Sequence, residues 1–527
     1  MISITSAKRF VKLVANEDID IIEHTHKVLE SVKNINDKYF YFNILSEHLA
    51  LDEAKKISEK LKAAKRHDTQ SSTHANAHPK LLGLPISVKD CICVKDIESR
   101  AGSKILEGYK PVFDATAISK IKNSGGLIIG KTSQDEFGFG SFNTNVGVGF
   151  KIPKNPHDTM RACGGSSGGS AGITSKINFP HISLAESTGG SIASPAAFCG
   201  VAGLTPTYGR VSRYGLMDYA NSLDKIGTIG KTVEDAAYLL EVISGFDMNE
   251  STTADVATEA YSDYVNTDVK GMKVGVINEF FSDGFSNGRT FDGTTNPSSG
   301  IQSMDRLESV QGIDQTIIKK CLDATKHLES LGVDVKNVSL PKTAKYGISA
   351  YYIIAMSEAS TNLAKYCGMR YGASEKVEGN FNKYFSCVRS KNFGLEAKRR
   401  IMLGTFARMA GYRDKYYGKS LAVRKVIINE YKSLFKKFDA LICPTMPFIA
   451  PRFDEIKKLT PLQNYYTDIL TVGPNLAGMP HLSVNIGTDT HTKMPIGLML
   501  TSDHFMEKNI IALGSKIEKP IDSKSNE

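Results

Sequence analysis

Serine and lysine set in glycine are the residues of this chain best suited to chemistry. Gly164 to Gly172 reads G-G-S-S-G-G-S-A-G, Ser187 to Ser191 reads S-T-G-G-S, and Ser87 to Asp90 reads S-V-K-D upstream. Glycine costs roughly 0.5–1 kcal/mol relative to alanine inside regular elements, so a fold that concentrates it here is using tight backbone turns. Such backbone can aim adjacent N–H groups at one point, which gives a serine at its end an oxyanion site beside its hydroxyl. The serine also needs a base. Neither cluster contains a histidine, and His181 between them reads as a loop residue, which argues against a Ser-His-Asp arrangement. A lysine can take the part only if its free pKa of about 10.4 falls to roughly 7–8, and burial lowers it by disfavouring the ammonium. Lys89 ends the apolar run Leu84–Val88, the setting such a base requires.

Other candidate motifs fail on composition or spacing. Gly125 to Thr132, G-G-L-I-I-G-K-T, has the letters of a phosphate-cradling loop. Leu127, Ile128 and Ile129 fill it, however, with the composition of a buried strand, where backbone N–H groups cannot close round a phosphate. His24 and His26 lie two apart on a helix and cannot face one ligand, and His67, His74 and His78 scatter through a polar stretch, so no metal site is expected. The eight cysteines show no C-x-x-C spacing, which fits a reducing compartment.

The elements that must position these residues follow from periodicity. Apolar residues recur at helical spacing from Ile19 to Leu61, with Ile21, Ile22, Val28, Leu29 and Val32 on one stripe and Ala50, Ala54, Ile57 and Leu61 on another. Two or three leading helices are therefore expected within residues 1–80, followed by a polar loop over Arg66–Lys80 and a first buried strand at Leu84–Val88. From there to about residue 245, short apolar runs such as Leu127–Ile129 and Ile182–Ala185 alternate with helix-like stretches, the signature of an α/β sheet. Helical periodicity dominates from Ile317 to Phe438, and a strand-and-loop portion closes the chain. The Gly-, Ser-, Asn- and Thr-rich stretch 283–304 reads as a flexible insertion and the last residues as a solvated tail. One domain over 81–520, carrying the leading helices, is the expected organisation.

Composition bounds the alternatives. The chain has 527 residues, 41% hydrophobic and 23% charged, with Gly 45 and Pro 18, which is the ordinary globular mixture and excludes collagen-like, coiled-coil and low-complexity classes. A net charge of +9 is diffuse over this length and does not mark a nucleic-acid binder. No apolar run reaches the eighteen or so residues that span a bilayer.

Together, the lysine after a buried strand, the G-G-S-S-G-G-S loop and the later G-G-S resemble the amidase signature family, and the resemblance covers nearly the whole chain. It implies an α/β fold with a large mixed sheet flanked by helices on both faces. It also implies a Ser–cis-Ser–Lys set with Ser191 as nucleophile, Ser166 bridging on a cis peptide and Lys89 as base. The family spacing between the two serines is 24, which would select Ser167. Ser166 is preferred because the preceding G-G aligns without a gap and the stretch 176–182 can absorb one residue in a loop. T-Y-G-R-V-S-R-Y-G-L at 207–216, A-N-S-L-D-K-I-G at 220–227, S-E-A-S-T-N-L-A-K-Y at 357–366 and K-R-R-I-M-L-G-T-F at 398–406 resemble the branch formed by glutaminase subunits of tRNA-dependent amidotransferases. For that branch the resemblance implies glutamine held by Tyr351, Arg400 and Asp468, with Thr188, Gly189 and Gly190 at the oxyanion site. A guanidinium suits the substrate carboxylate and a carboxylate its ammonium. Two positions depart from the family pattern: Ser187 replaces an aspartate and Ala193 an arginine, an absent opposite pair that leaves the three catalytic groups intact.

The expectation is thus a glutaminase that passes ammonia to a B subunit, where ATP and Mg2+ activate a misacylated tRNA, with a C subunit joining the two. No cofactor, metal or membrane contact is expected in this chain. The cytoplasm of a prokaryote is the expected compartment, because the leading helices align with the start of the family; a mitochondrion is the alternative. A stand-alone Ser-Ser-Lys amidase acting on other amides is the competing activity.

Overall fold

The computed structural model describes residues 6–68, 78–281 and 313–519. The stretch 283–304, the tail beyond 519 and most of the polar stretch before Lys80 lie outside the described residues.

Three helices lead, α1 (Ala7–Ala15), α2 (Ile21–Tyr39) and α3 (Glu47–Asp68). Asp20 caps α2 by accepting from the N–H groups of Ile22 and Glu23, and Phe40 closes it in the left-handed conformation. Ile21, Val28, Leu29 and Val32 are buried as the periodicity demands, with Ala50, Ala54 and Ile57 of α3. The leading segment is not helical throughout. Between α2 and α3, β1 (Phe42–Leu45) pairs antiparallel with β3 at the edge of the main sheet. Its four residues are too few for a period-2 pattern to register.

The core strands are β2 (Pro85–Lys89), β3 (Leu127–Thr132), β4 (Ile182–Ser187), β5 (Ala202–Thr205) and β6 (Lys225–Gly230), with α4 (Thr116–Asn123), α5 (Gly168–Lys176), α6 (Ala193–Cys199) and α7 (Val233–Ile243) between and after them. The second half adds β7 (Lys273–Ile277), α8 (Gln315–Ser330), β8 (Asp334–Val338), α9 (Pro341–Asn362), α10 (Phe381–Asn392), α11 (Leu395–Arg408), α12 (Lys419–Phe435) and β9 (Ala440–Pro444). Short helices α13 (Phe453–Ile456), α14 (Pro461–Tyr466) and α15 (Val472–Leu476) precede β10 (His481–Thr488), β11 (Pro495–Thr501) and α16 (Glu507–Ile517). β8 interrupts the stretch expected to be helical; it is a half-exposed edge strand, D-V-K-N-V, that carries no apolar run to announce it.

Among the described residues the strands form one mixed sheet of eleven, ordered β1-β3-β2-β4-β6-β5-β10-β11-β9-β7-β8. β2, β3, β4 and β6 are buried along their whole length, which is why they read as short apolar runs and not as alternating ones. Two features of this sheet matter for chemistry. β2 and β4 are parallel neighbours, registered Ile86↔Ile182 and Val88↔Leu184, so Lys89 and the loop after Ser187 emerge at the same edge. The glycine-rich cluster then folds over that edge as α5. A Cβ on Gly169 would stand 2.5 Å from the Tyr41 carbonyl oxygen and 2.6 Å from that of Ser133, and one on Gly172 would stand 2.2 Å from the Tyr41 ring. These glycines therefore serve close helix packing; of the cluster, Gly164, at φ +83°, is the one in a left-handed turn.

Candidate active site

Lys89 ends β2 with its side chain wholly buried. Its Nζ donates to Ser166 Oγ at 2.7 Å, to Glu186 Oε2 at 2.8 Å and to the Glu186 carbonyl oxygen at 3.0 Å. Three acceptors satisfy the three hydrogens of an ammonium. The Gly165–Ser166 peptide bond is cis. Ser167, the alternative set by spacing, is turned elsewhere: its Oγ donates to the Glu186 carbonyl at 3.1 Å and its N–H to the Ser191 carbonyl at 3.2 Å. The stretch expected to absorb one residue, 176–182, spans the connection between α5 and β4.

Ser191 follows β4 in the turn that leads into α6, and the Ser194 N–H donates back to the Gly190 carbonyl at 2.8 Å. The N–H groups of Gly189, Gly190 and Ser191 have no protein acceptor among the described residues. Asn475 fixes the Gly189 carbonyl by donating to it. The Thr188 hydroxyl is engaged by two carboxyl groups, 2.8 Å from both Glu186 Oε1 and Asp224 Oδ1. Burial first, then the neighbouring charge of Glu186, pushes the Asp224 carboxyl well above the usual carboxylate range. A carboxyl that keeps its proton fits the geometry, since one hydroxyl hydrogen cannot serve two carboxylates.

Ser191 shares a small cleft with Gly138, Gly140, Gly165, Gly190, Tyr351, Tyr352, Arg400 and Asp468. The three residues assigned to glutamine by resemblance thus come together with Ser191, although they stand on α9, on α11 and ahead of α15. None is a surface charge. Arg400 is 3% exposed; its Nε donates to Glu396 at 2.9 Å and it hydrogen-bonds the Tyr219 hydroxyl. The rings of Phe139, Tyr219, Tyr352 and Tyr465 stand 5.1–5.7 Å from its guanidinium carbon. The Tyr352 hydroxyl donates to Asp468 at 2.7 Å, and burial raises that carboxyl above its usual range. Tyr351 borders the turn before Ser191 so closely that a Cβ on Gly189 would meet its hydroxyl at 2.4 Å.

The rejected motifs also resolve. Gly125–Thr132 contains β3, and Lys131 is buried and bonded to the carbonyls of Asp90 and Ile92 and to Ser99. His181 hydrogen-bonds Ser87 at 3.0 Å, and burial lowers its pKa to about 3. All eight cysteines are free, and among the described residues no group of His, Cys, Asp or Glu is arranged to hold a metal ion. No described helix is long and apolar enough to cross a membrane. The absent pair leaves a trace: Ala193 is buried, and the Ser187 hydroxyl is buried without a hydrogen-bond partner. Sequence reasoning missed Glu186, Asp224, Tyr219 and Asn475. For Glu186 a signal existed, an acid one residue before the position where the expected aspartate is lost.

The Amidase family model matches residues 54–290 and 303–511. The chain is 40% identical over 513 residues to the A subunit of the glutamyl-tRNA(Gln) amidotransferase of Sulfurihydrogenibium sp. (strain YO3AOP1), covering 97% of this chain and 96% of that protein. It is 40% identical over 514 residues to the protein of the same name from Clostridium botulinum (strain Eklund 17B / Type B), with the same coverage of both chains. The crystal structure of the glutamyl-tRNA(Gln) amidotransferase A subunit from Thermotoga maritima superposes with a TM-score of 0.73 at 30% identity, covering 98% of this chain and 97% of that one. A peptide amidase from Stenotrophomonas maltophilia, 22% identical with a TM-score of 0.74 and 98% coverage of both chains, shares the fold.

Proposed function

The chain belongs to the Amidase family, and on that premise we propose that it is the ammonia-producing subunit of an amidotransferase that converts Glu-tRNA(Gln) to Gln-tRNA(Gln), Asp-tRNA(Asn) to Asn-tRNA(Asn), or both. Ser191 attacks the side-chain amide of glutamine. Ser166 passes the nucleophile's proton towards Lys89 and later returns one to the leaving ammonia; water then releases glutamate from the acyl-enzyme. The N–H groups about Thr188, Gly189 and Gly190 receive the oxyanion, a contribution for which loss of one donor typically costs about 10²–10³ in rate. Arg400 takes the substrate's α-carboxylate, Asp468 its ammonium, and Tyr351 closes the cleft over the turn.

The observation that carries this reading is the buried hydrogen bond of 2.7 Å from Lys89 to Ser166, with Ser191 and the Arg400–Asp468 pair in one cleft. Ammonia is used on a B subunit, which binds ATP and Mg2+ and the misacylated tRNA, and a C subunit joins the two in a heterotrimer; this chain itself holds no cofactor or metal. The complex works in the cytoplasm. The test is purification of the full chain with its natural partners. Co-purifying proteins together with glutamine- and ATP-dependent amidation of misacylated tRNA are expected. High turnover of aliphatic amides by the isolated chain, with none of glutamine, would instead identify a stand-alone amidase.

A further inference from the structure

Of the three partners of Lys89 Nζ, only one can take a proton. The Glu186 carbonyl cannot, and Ser166 is the group whose proton Lys89 must receive. That leaves Glu186 Oε2 at 2.8 Å. We infer that Glu186 is the positioning residue that completes the relay, receiving a proton from Lys89 as Lys89 receives one from Ser166. The inference rests on the serine–lysine reading of the proposed function and changes where the proton ends.

In the first half-reaction one of the three protons on Nζ passes to Glu186 Oε2, and rotation about the Cε–Nζ bond turns the freed lone pair towards Ser166; the Ser166 proton then passes to Nζ as the Ser191 O–H bond breaks and its proton passes to Ser166 Oγ. The Ser191 Oγ–carbon bond forms and the carbonyl π pair moves to oxygen. Lys89 begins and ends as an ammonium, and the one net change in the relay is neutralisation of Glu186. On collapse the same protons return in the opposite order. The last reaches the leaving nitrogen, which takes the C–N bonding pair and departs as ammonia.

The surroundings suit a carboxylate that shuttles one proton. Glu186 is buried, so its charge is stabilised by specific partners: Lys89 on Oε2 and Thr188 on Oε1. Asp224 Oδ2 accepts from the N–H groups of Tyr219 and Ala220 at 2.9 and 3.0 Å, and Oδ1 accepts from the Ala220 N–H at 3.1 Å and lies 2.8 Å from Thr188 Oγ1; a proton on Oδ1 directed at Thr188 Oγ1 lets Thr188 donate to Glu186. Other ionisable groups lie close: Cys91 two residues beyond Lys89, whose thiol burial pushes up and which also feels Lys131 and Asp90, and Asp135 after β3, raised by burial to about 6 and also within reach of the Arg400 guanidinium. Neither Cys91 nor Asp135 hydrogen-bonds Lys89 or Glu186.

Two roles for Glu186 predict shifts of opposite sign. If Lys89 must be neutral and Glu186 merely sits beside it, the carboxylate holds the ammonium in place, and Glu186→Gln frees the amine: the acid limb of reactivity moves to lower pH. If Glu186 receives the proton, Glu186→Gln leaves only the neutral-lysine route, and the limb moves to higher pH. The readout is the pH dependence of Ser191 phosphonylation by a fluorophosphonate probe, in which the Oγ–P bond forms as fluoride leaves, on the full chain with its partners, which does not depend on glutamine being the substrate. We expect Glu186→Gln to raise the limb by about 2 pH units or more and to slow labelling at pH 7 at least about tenfold. Glu186→Asp, which keeps the carboxylate, retains the wild-type limb at a lower rate, and supplies the comparison if the amide variant does not fold. A limb that stays or falls in Glu186→Gln, or one that rises in Glu186→Asp, overturns the inference. Glutamine turnover measured alongside tests the proposed function separately, since labelling can follow the expected pattern where glutamine is not consumed.

Discussion

Replacing Arg400 separates recognition of the substrate's α-carboxylate from the chemistry at Ser191. The guanidinium already spends Nε on Glu396 at 2.9 Å and is enclosed by four rings, so its outer edge is held facing the cleft. A hydrogen bond to a charged group contributes about 1.5–3 kcal/mol, and breaking a buried charge pair on one side costs about 2–5 kcal/mol. At 1.4 kcal/mol per factor of ten, Arg400→Lys, which keeps the charge and loses the planar fork, lowers kcat/KM for glutamine about 10–10²-fold. Arg400→Met lowers it about 10²–10³-fold. Butyramide offers the same type of amide without carboxylate or ammonium, and its slower turnover changes little in either variant. Arg400→Met also leaves Glu396 with Tyr465 and Arg399 but without the Arg400 Nε–H, so some loss of stability accompanies it. The ratio of the two kcat/KM values, measured by ammonia release on protein shown to be folded by thermal melting, cancels that loss. An equal fall for both amides would refute the assignment and reduce Arg400 to a packing residue.

Three further outcomes follow from particular contacts. Ser166→Ala removes the 2.7 Å partner of Lys89 and lowers kcat about 10²–10⁴-fold, while Ser167→Ala, whose hydroxyl reaches only the Glu186 carbonyl, has a far smaller effect; comparable losses in steady-state assays would undo the choice of Ser166. Gly169→Ala places a methyl 2.5–2.7 Å from backbone atoms of Tyr41 and Ser133, which cannot rotate away, and destabilises the protein by about 1–3 kcal/mol or more in urea denaturation; an unchanged midpoint contradicts the close packing of α5. Burial raises Asp235 from 3.8 to about 7 in the folded protein. Below pH 3.8 both states hold this proton; between there and pH 7 the unfolded chain releases it first, so stability falls as pH rises and stays lower above. Asp235→Asn keeps an acceptor for the Ala7 N–H, which now lies at 2.9 Å, and flattens the dependence of the urea midpoint over that window; an unaltered slope would show that the carboxyl is ionised throughout.

Much of the site was legible because its parts are local. Ser191 and its turn, Ser166 beside its glycines, and Lys89 at the end of an apolar run each sit in a short string whose composition limits the backbone it can form. The reason for the glycines was only partly legible: Gly164 serves a turn, but Gly169 and Gly172 answer to Tyr41, more than a hundred residues earlier. β1 and β8 went unseen for a related reason. Each is a short edge strand without a distinctive pattern, and its conformation is set by the neighbour it pairs with, β3 for the first and β7 for the second.

By itself the sequence determined the α/β class, the glycine-set strings that carry Ser166 and Ser191, the buried setting of Lys89 and the exclusion of a phosphate loop at Gly125–Thr132, because composition over a few residues decides whether backbone turns, is buried or binds an anion. What only the tertiary structure decided is the charge around Lys89. Glu186 lies 97 residues away in the chain and meets Nζ because β2 and β4 run parallel as neighbours. Asp224 and Thr188 then brace its carboxylate from the far side. β2 and β4 are both buried along their length and carry no mark of which strand each adjoins, so the partner of a buried charge becomes known only once the sheet is assembled.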